Sequence, residues 1–245
     1  MISEIGLVFF VLLVLVAFLY ASVGHGGASG YLALMALYSF PPEVMKPTAL
    51  LLNIFVSGIA FFHFYRSGPF SWKLFLPLAL ASVPAAFIGG WISLPTTLYK
   101  QLLGVFLVIP ALRFILVSEP QESEKKEMNL YLALFLGAGI GLLSGMLGIG
   151  GGILLSPLLI LLGWATMRQA AALSALFILV NSVAGLGGQL QHDLSFSPVM
   201  YWMVGVSLLG ALAGSYLGAF RFNQKTLKIS LAAVLLIASA KLLFS

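Results

Sequence analysis

The chain has 245 residues, of which 61% are hydrophobic and 8% charged, with a net charge of +5, no cysteine and a mean hydropathy of +1.10. So little polar surface cannot cover a water-soluble globule, and the composition reads as an integral membrane protein. The lack of cysteine excludes disulfides, thiol nucleophiles and cysteine-ligated metals, and the basic balance reads as a topology signal with a pull toward anionic lipid, not as a nucleic-acid surface.

In chain order, apolar runs near the ~20 residues that a bilayer core requires cover Ile5 to Val23, Thr48 to Tyr65, Trp72 to Ile92, Leu98 to Val117, Met128 to Leu147, Ala170 to Gln189, Val199 to Phe220 and Leu227 to Phe244. Two runs of about a dozen residues, Ser29 to Phe40 and Ile153 to Trp164, are too short for an ordinary span and read as half-helices or arms of re-entrant hairpins. No Lys or Arg precedes the first run, and it has a counterpart in the second half, so it reads as structure and not as a signal peptide. Helical spans imply the cell inner membrane, because outer-membrane spans are barrels.

The chain repeats itself. Gly24-His25-Gly26-Gly27-Ala28 returns as Gly148-Ile149-Gly150-Gly151-Gly152, each time between two apolar runs. A second, slightly larger shift pairs Asn53 with Asn181, Ser57 with Gly185, Gly90 with Gly218, Lys100 with Lys228 and Leu103 with Leu231. The expected fold is an all-α polytopic membrane protein of two inverted-topology repeats, each a glycine-broken helix pair plus three transmembrane helices. Residues 1–117 form the N-terminal repeat, 118–128 a charged cytoplasmic linker and 129–245 the C-terminal repeat. Basic residues supply the orientation: the loop from Tyr65 to Lys73 carries Arg66 and Lys73, whereas its equivalent from Gln191 to Ser197 carries none, and the next loops reverse the bias, with Arg221, Lys225 and Lys228 against Lys100 alone. By the positive-inside rule the halves are inverted and both termini lie outside, with Lys46 on an outer loop.

Backbone freed from a helix inside lipid costs several kcal/mol per group, so the glycine breaks must be buried in protein or line a hydrated cavity. A short helix starting at Ala28-Ser29 or Gly152-Ile153 presents unpaired N–H groups that glycines leave uncovered, and two such starts related by an inverted axis make a site for a small anion from neutral groups. The alternative is that the glycines only permit close packing, as Gly137-xxx-Gly141-xxx-Gly145 and Gly210-xxx-Gly214-xxx-Gly218 do.

The pattern Gly148-Ile-Gly-Gly-Gly-Ile-Leu-Leu-Ser-Pro157, with its weaker N-terminal echo and the segment Ala170-Ala-Ala-Leu-Ser-Ala175, resembles the TauE/SafE sulfite exporter family over essentially the whole chain. The resemblance implies transmembrane movement of a small sulfur-containing anion of the sulfite, sulfoacetate or thiosulfate class. Half one departs from the pattern with His25 at a usually apolar position, Ala28 for the third glycine and Ala33 where half two has Pro157.

Polar residues inside apolar runs complete the candidate substrate site of Gly24, His25, Gly26, Gly27, Ala28, Ser29, Gly148, Gly150, Gly151 and Gly152. Asn53 and Asn181 offer amide donors to an anion, or an interhelical hydrogen bond between the halves. Thr48 and Ser174 offer hydroxyls, or bond back to a carbonyl one turn earlier. Gln189 and Gln191 read as residues of an outer vestibule. His25 supplies a charge or a proton, or sits neutral on a backbone carbonyl; His63 reads as interfacial and His192 as solvated.

The seven acids are Glu4, Glu43, four linker glutamates and Asp193, none within a confident span, so the usual carboxylate site for a coupling ion is missing. Proton coupling through His25 or through a protonated substrate, and uniport, all fit. No metal site and no cofactor is implied. The favoured mechanism is alternating access, with the halves or their hairpins rocking around a central site. Two other readings stay open. Gly27-Ala28-Ser29-Gly30 matches the Gly-x-Ser-Gly signature of rhomboid intramembrane proteases, with His63 or His192 as the base, although Ile153 stands at the equivalent of Ser29. A non-transporting accessory membrane subunit is the other. The small-xxx-small stripes fit packing within one chain or between two.

Overall fold

The computed structural model describes residues 2–68, 70–116, 126–191 and 198–220. These form α1 (Ile2–Ser22), α2 (Ala28–Leu37), α3 (Pro42–Ser67), α4 (Trp72–Trp91), α5 (Thr96–Leu116), α6 (Leu130–Leu147), α7 (Gly152–Leu161), α8 (Met167–Gln189) and α9 (Pro198–Phe220), with no strand among the described residues. Five of them, α3, α4, α6, α8 and α9, are long and apolar enough to cross a membrane. The run from Leu227 to Phe244 and the basic residues Arg221, Lys225 and Lys228 lie outside the described residues, as does His192.

The two short runs are the ten-residue helices α2 and α7, and each folds back along the helix before it. Phe9 of α1 stacks on Phe40 just beyond α2, at 5.6 Å between ring centroids, so α2 returns to the end from which α1 sets out. The amide of Lys126, just ahead of α6, donates to the carbonyl of Gly163 beyond α7 at 2.9 Å, so that pair closes in the same way. Helix α3 starts before the hydropathy suggests, because Pro41 and Pro42 open it and its first turn carries Glu43, so Lys46 sits in a helix and not in a loop.

Helices α3 and α8 pack together at the centre and run antiparallel. Gly68 at the end of α3 lies against Arg168 at the start of α8, whereas Lys46 near the start of α3 donates to the carbonyls of Gly90 and Ile92 at 3.2 and 3.3 Å, beside Gly185 and Gly188 of α8. Around this pair the contacts exchange: α4 packs on α6 and α8, and α9 on α1 and α3. The end where α4, α6 and α8 begin carries Arg66, Lys73, Lys126 and Arg168. There Ser71, Asn129 and Thr166 cap the helices, their side chains accepting the amides of Leu74, Leu132 and Gln169. Tyr65, Phe70 and Trp72 cluster beside them, the amphipathic rings suiting a headgroup layer. Large apolar side chains such as Leu7, Leu80, Tyr131, Phe135 and Leu209 remain exposed on the outer surface, which lipid would cover.

Both glycine stripes serve as close contacts between helices. On α6, Gly137, Gly141 and Gly145 ride on the carbonyls of Leu78, Ser82 and Ala86 of α4; on α9, Gly210, Gly214 and Gly218 ride on those of Val14, Phe18 and Ser22 of α1. A Cβ at any of the six would run into backbone. The small serines that line these contacts bond back along their own helices, Ser22 to Leu19 at 2.7 Å and Ser207 to Val204 at 2.8 Å.

This packing predicts that Gly141→Leu and Gly214→Leu each destabilise the protein by about 1–3 kcal/mol or prevent its folding, because backbone cannot yield as a side chain can. Gly139→Ala, whose Cβ meets nothing within 4 Å, is tolerated. Thermal unfolding in detergent checks the contrast.

Candidate functional site

The breaks are built by glycines in the left-handed region. Gly24 and Gly27 have φ of 76° and 97°, and Gly148, Gly150 and Gly151 have φ of 77°, 74° and 77°. L side chains pay roughly 1–2 kcal/mol per residue there, so glycine is the residue that turns the chain at so short a distance. Gly27 and Gly151 are the N-caps of α2 and α7, and neither end has a side-chain cap. The first amides of both helices have no carbonyl one turn back to bond, unlike those of the side-chain-capped helices at the basic end. Gly24 through Ser29 and Gly148 through Gly152 are all buried.

The two tips meet on the same side chains. A Cβ at Gly26 would come within 2.5 Å of Asn53 Oδ1 and 2.8 Å of Ile178 Cγ2, and one at Gly150 would run into Asn53 Nδ2 and lie 2.9 Å from Ile178 Cγ2. Asn53, fully buried near the middle of α3, donates its amide to Ser182 Oγ of α8 at 3.3 Å, while its Oδ1 has no partner. Asn181, its equivalent in the repeat, bonds instead to the carbonyl of Phe177 in its own helix at 2.8 Å and leaves its Oδ1 unpartnered. Only the first of the pair therefore lies between the breaks and bridges the two central helices.

His25 crosses from the first break to the second hairpin. Its Nδ1 lies 2.9 Å from the Val23 carbonyl and its Nε2 3.1 Å from Ser156 Oγ of α7; Ser156 Oγ in turn lies 2.6 Å from Ser174 Oγ of α8 and 3.2 Å from the Gly152 carbonyl. Because a carbonyl only accepts, Nδ1 carries a proton, and in the neutral ring Nε2 accepts from Ser156. Ser174 thus faces another helix, whereas Thr48 bonds back to the Val44 carbonyl at 2.5 Å.

Other polar atoms collect at the caps. Tyr31 lies over Gly27, where a Cβ would meet its hydroxyl at 2.7 Å, and that hydroxyl has no partner. Ser144, whose Cβ lies 3.4 Å from a Cβ built at Gly151, leaves its hydroxyl unpartnered as well. Tyr99 of α5 donates to the Leu147 carbonyl at 3.1 Å, one of the acceptors that the second break sets free. Gln189 is buried with its Nε2 unpartnered, and Gln191 is exposed. Ser156, Ser182, Tyr31, Ser144 and Tyr99 are absent from the residues that the sequence singles out. Ser156 alone carried a signal there, as a polar residue inside a short apolar run.

The protease alternative finds no support. The hydroxyl of Ser29 donates to Tyr20 Oη at 2.9 Å, and His63, a candidate base, pairs through Nδ1 with Ser215 Oγ of α9 at 2.8 Å. Ser215 already donates to Ala211, so His63 donates to it, a packing bond between α3 and α9.

The Asn53–Ser182 bond predicts coupled stability. Asn53→Ala and Ser182→Ala each cost about 1 kcal/mol and together cost less than their sum. Unfolding of the single and double variants in detergent measures this, and strict additivity would remove the bond.

Residues 9–242 match the family model described as "Sulfite exporter TauE/SafE". The chain is 35% identical over 239 residues to the "Probable membrane transporter protein y4hK" of Sinorhizobium fredii, with 94% of each chain covered. It is 26% identical over 246 residues to the "Probable membrane transporter protein MJ0441" of Methanocaldococcus jannaschii, covering 91% of each. It is 25% identical over 242 residues to the "Probable membrane transporter protein YdhB" of Bacillus subtilis, covering 96% of this chain and 95% of that one. No solved structure matches it. With glycine-broken helices buried at the centre of an apolar bundle and a family match along nearly its whole length, the chain belongs to the TauE/SafE sulfite exporter family and is a multi-pass membrane transporter, not an enzyme.

Proposed function

We propose that this transporter moves a small sulfur-containing anion, of the sulfite, sulfoacetate or thiosulfate class, by alternating access around a site at the two glycine breaks. The observation that carries this reading is that Gly26 and Gly150, from different hairpins, contact the same Asn53 and Ile178 side chains. The unpaired amides at the starts of α2 and α7 supply partial positive charge without a formal cation, which suits an anion that must be held and then released. Unpartnered hydroxyls of Tyr31 and Ser144 beside the two caps add donors that an oxyanion would satisfy.

An inverted relation between residues 1–117 and 129–245 supports the alternation. The antiparallel run of α3 and α8, and hairpins that enter from opposite ends of that pair, suit a site offered in turn to either side. The protein works in the cell inner membrane on this reading. The substrate class comes from the family description alone, since sulfite, thiosulfate and sulfate all present oxygens to the same donors.

Flux of radiolabelled sulfite, thiosulfate and sulfate into proteoliposomes tests it. Saturable flux of one sulfur anion is expected, lost in Gly151→Leu, where a Cβ already lies 2.8 Å from Ile140 Cγ2 and 3.0 Å from Phe177 Cε1. Asn53→Asp, of nearly the same shape, is expected to lose it by placing a carboxylate between the tips. A folded, inserted wild type that moves none of these anions would remove the substrate assignment.

A further inference from the structure

We propose that His25 carries a proton along with the anion, through a hydroxyl relay on α7 and α8 that is bonded in both charge states. The proposal rests on the transport reading above and adds its coupling ion. Ser156 has two acceptors within reach for its one hydroxyl proton, Nε2 of His25 at 3.1 Å and the Gly152 carbonyl at 3.2 Å. With His25 neutral, Ser156 donates to Nε2 and Ser174 donates to Ser156. When Nε2 takes a proton from water on the open side, it donates to Ser156 Oγ, and the Ser156 hydroxyl turns to the Gly152 carbonyl. Nδ1 donates to Val23 throughout. No buried polar atom of the relay is stranded in either form, which is the condition for a low-cost change of charge at a site 5% exposed.

The surroundings make the proton conditional on the anion. Helix α7 has no ionisable residue, Arg168 of α8 lies against Gly68, Lys46 of α3 reaches Gly90 and Ile92, and Tyr20 of α1 and Tyr31 of α2 are the titratable groups of the first hairpin. Among the described residues no carboxylate faces the ring from these elements. An imidazolium beside helix amides is therefore uncompensated until an anion binds, and the anion binds more tightly once the ring is charged. Linkage makes the two effects equal. Proton and anion then cross together, and the Nε2–H bond breaks to water on the far side.

The test compares wild type and His25→Gln in proteoliposomes loaded with labelled sulfite or thiosulfate, under an imposed pH gradient or an imposed membrane potential. Wild type is expected to accumulate anion against its gradient when driven by pH. His25→Gln is expected to lose that component completely, its remaining flux following membrane potential instead. Gradient-driven accumulation that survives in His25→Gln overturns the proposal, as does wild type that exchanges anion at equal pH but ignores the gradient; the latter leaves the transport reading standing. Wild type that exchanges no sulfur anion removes the transport reading and the proposal with it. Should His25→Gln fail to fold, Ser156→Ala decides. It strips the imidazolium of its acceptor, a stronger bond than the one the neutral ring loses, so the pH profile of exchange moves to lower pH. An unmoved profile overturns the proposal.

Discussion

A backbone amide or carbonyl in hydrocarbon must find a partner or be walled off from lipid, and this structure interrupts its helices twice in the interior. Much of the fold can be understood as the enclosure those interruptions require. Helices α3 and α8 form a central partition on which both tips rest, while α4 with α6, and α1 with α9, close the sides without spending volume on side chains. Elsewhere the chain ends its helices conventionally, with Ser71, Asn129 and Thr166 satisfying the first amides by side-chain oxygens. Only at α2 and α7 do glycines stand where such a cap would be. Donors are withheld from the protein's own side chains at the two places where the surroundings are most tightly sealed.

The two interruptions are alike in backbone and unlike in chemistry. The first carries His25, Ser29 and Tyr31, and the corresponding positions of the second are Ile149, Ile153 and Leu155. Ser29 is tied to Tyr20, and His25 reaches across to Ser156, so the polar side chains of the first hairpin organise it internally and attach it to the second. The second hairpin answers with a single hydroxyl, Ser156, held between His25 and Ser174. A division of labour follows from this: main-chain donors are common to both tips, and the group able to change its charge belongs to one.

Much of the architecture was legible in the sequence because lipid imposes a simple rule on it. Runs of apolar residues became helices with ends displaced by a few residues, and the largest displacement, at α3, arises where prolines and Glu43 start a helix in residues too polar to score as membrane. The short runs stood out by length, and the glycine stripes by spacing. What the stripes pack against was not legible, since nothing in Gly141 names Ser82. The site divides similarly. Positive φ could be anticipated where glycines cluster, but Asn53 and Asn181 look interchangeable in sequence and are not in space. The bond of Asn53 needs Ser182, whose counterpart is Ile54. Ser156 was hidden for a comparable reason: a serine before proline in an apolar helix ordinarily bonds its own backbone, and its second partner lies 131 residues away.

The glycine stripes also decide which parts of the molecule can travel as one piece. Every close backbone contact they make joins a helix from the first half of the sequence to one from the second: Gly137, Gly141 and Gly145 lock α6 to α4, and Gly210, Gly214 and Gly218 lock α9 to α1. Interfaces of this kind have no compliant side chains to absorb shear, and close-packed surfaces shift between discrete arrangements rather than sliding smoothly. Two sequence halves rocking as rigid blocks would have to break both interfaces in every cycle. The mechanical units are instead mixed ones, α4 with α6 and α1 with α9, and the joints are the left-handed glycines at residues 24, 27, 148, 150 and 151, where a hairpin arm can swing while its neighbour stays bolted to the opposite half.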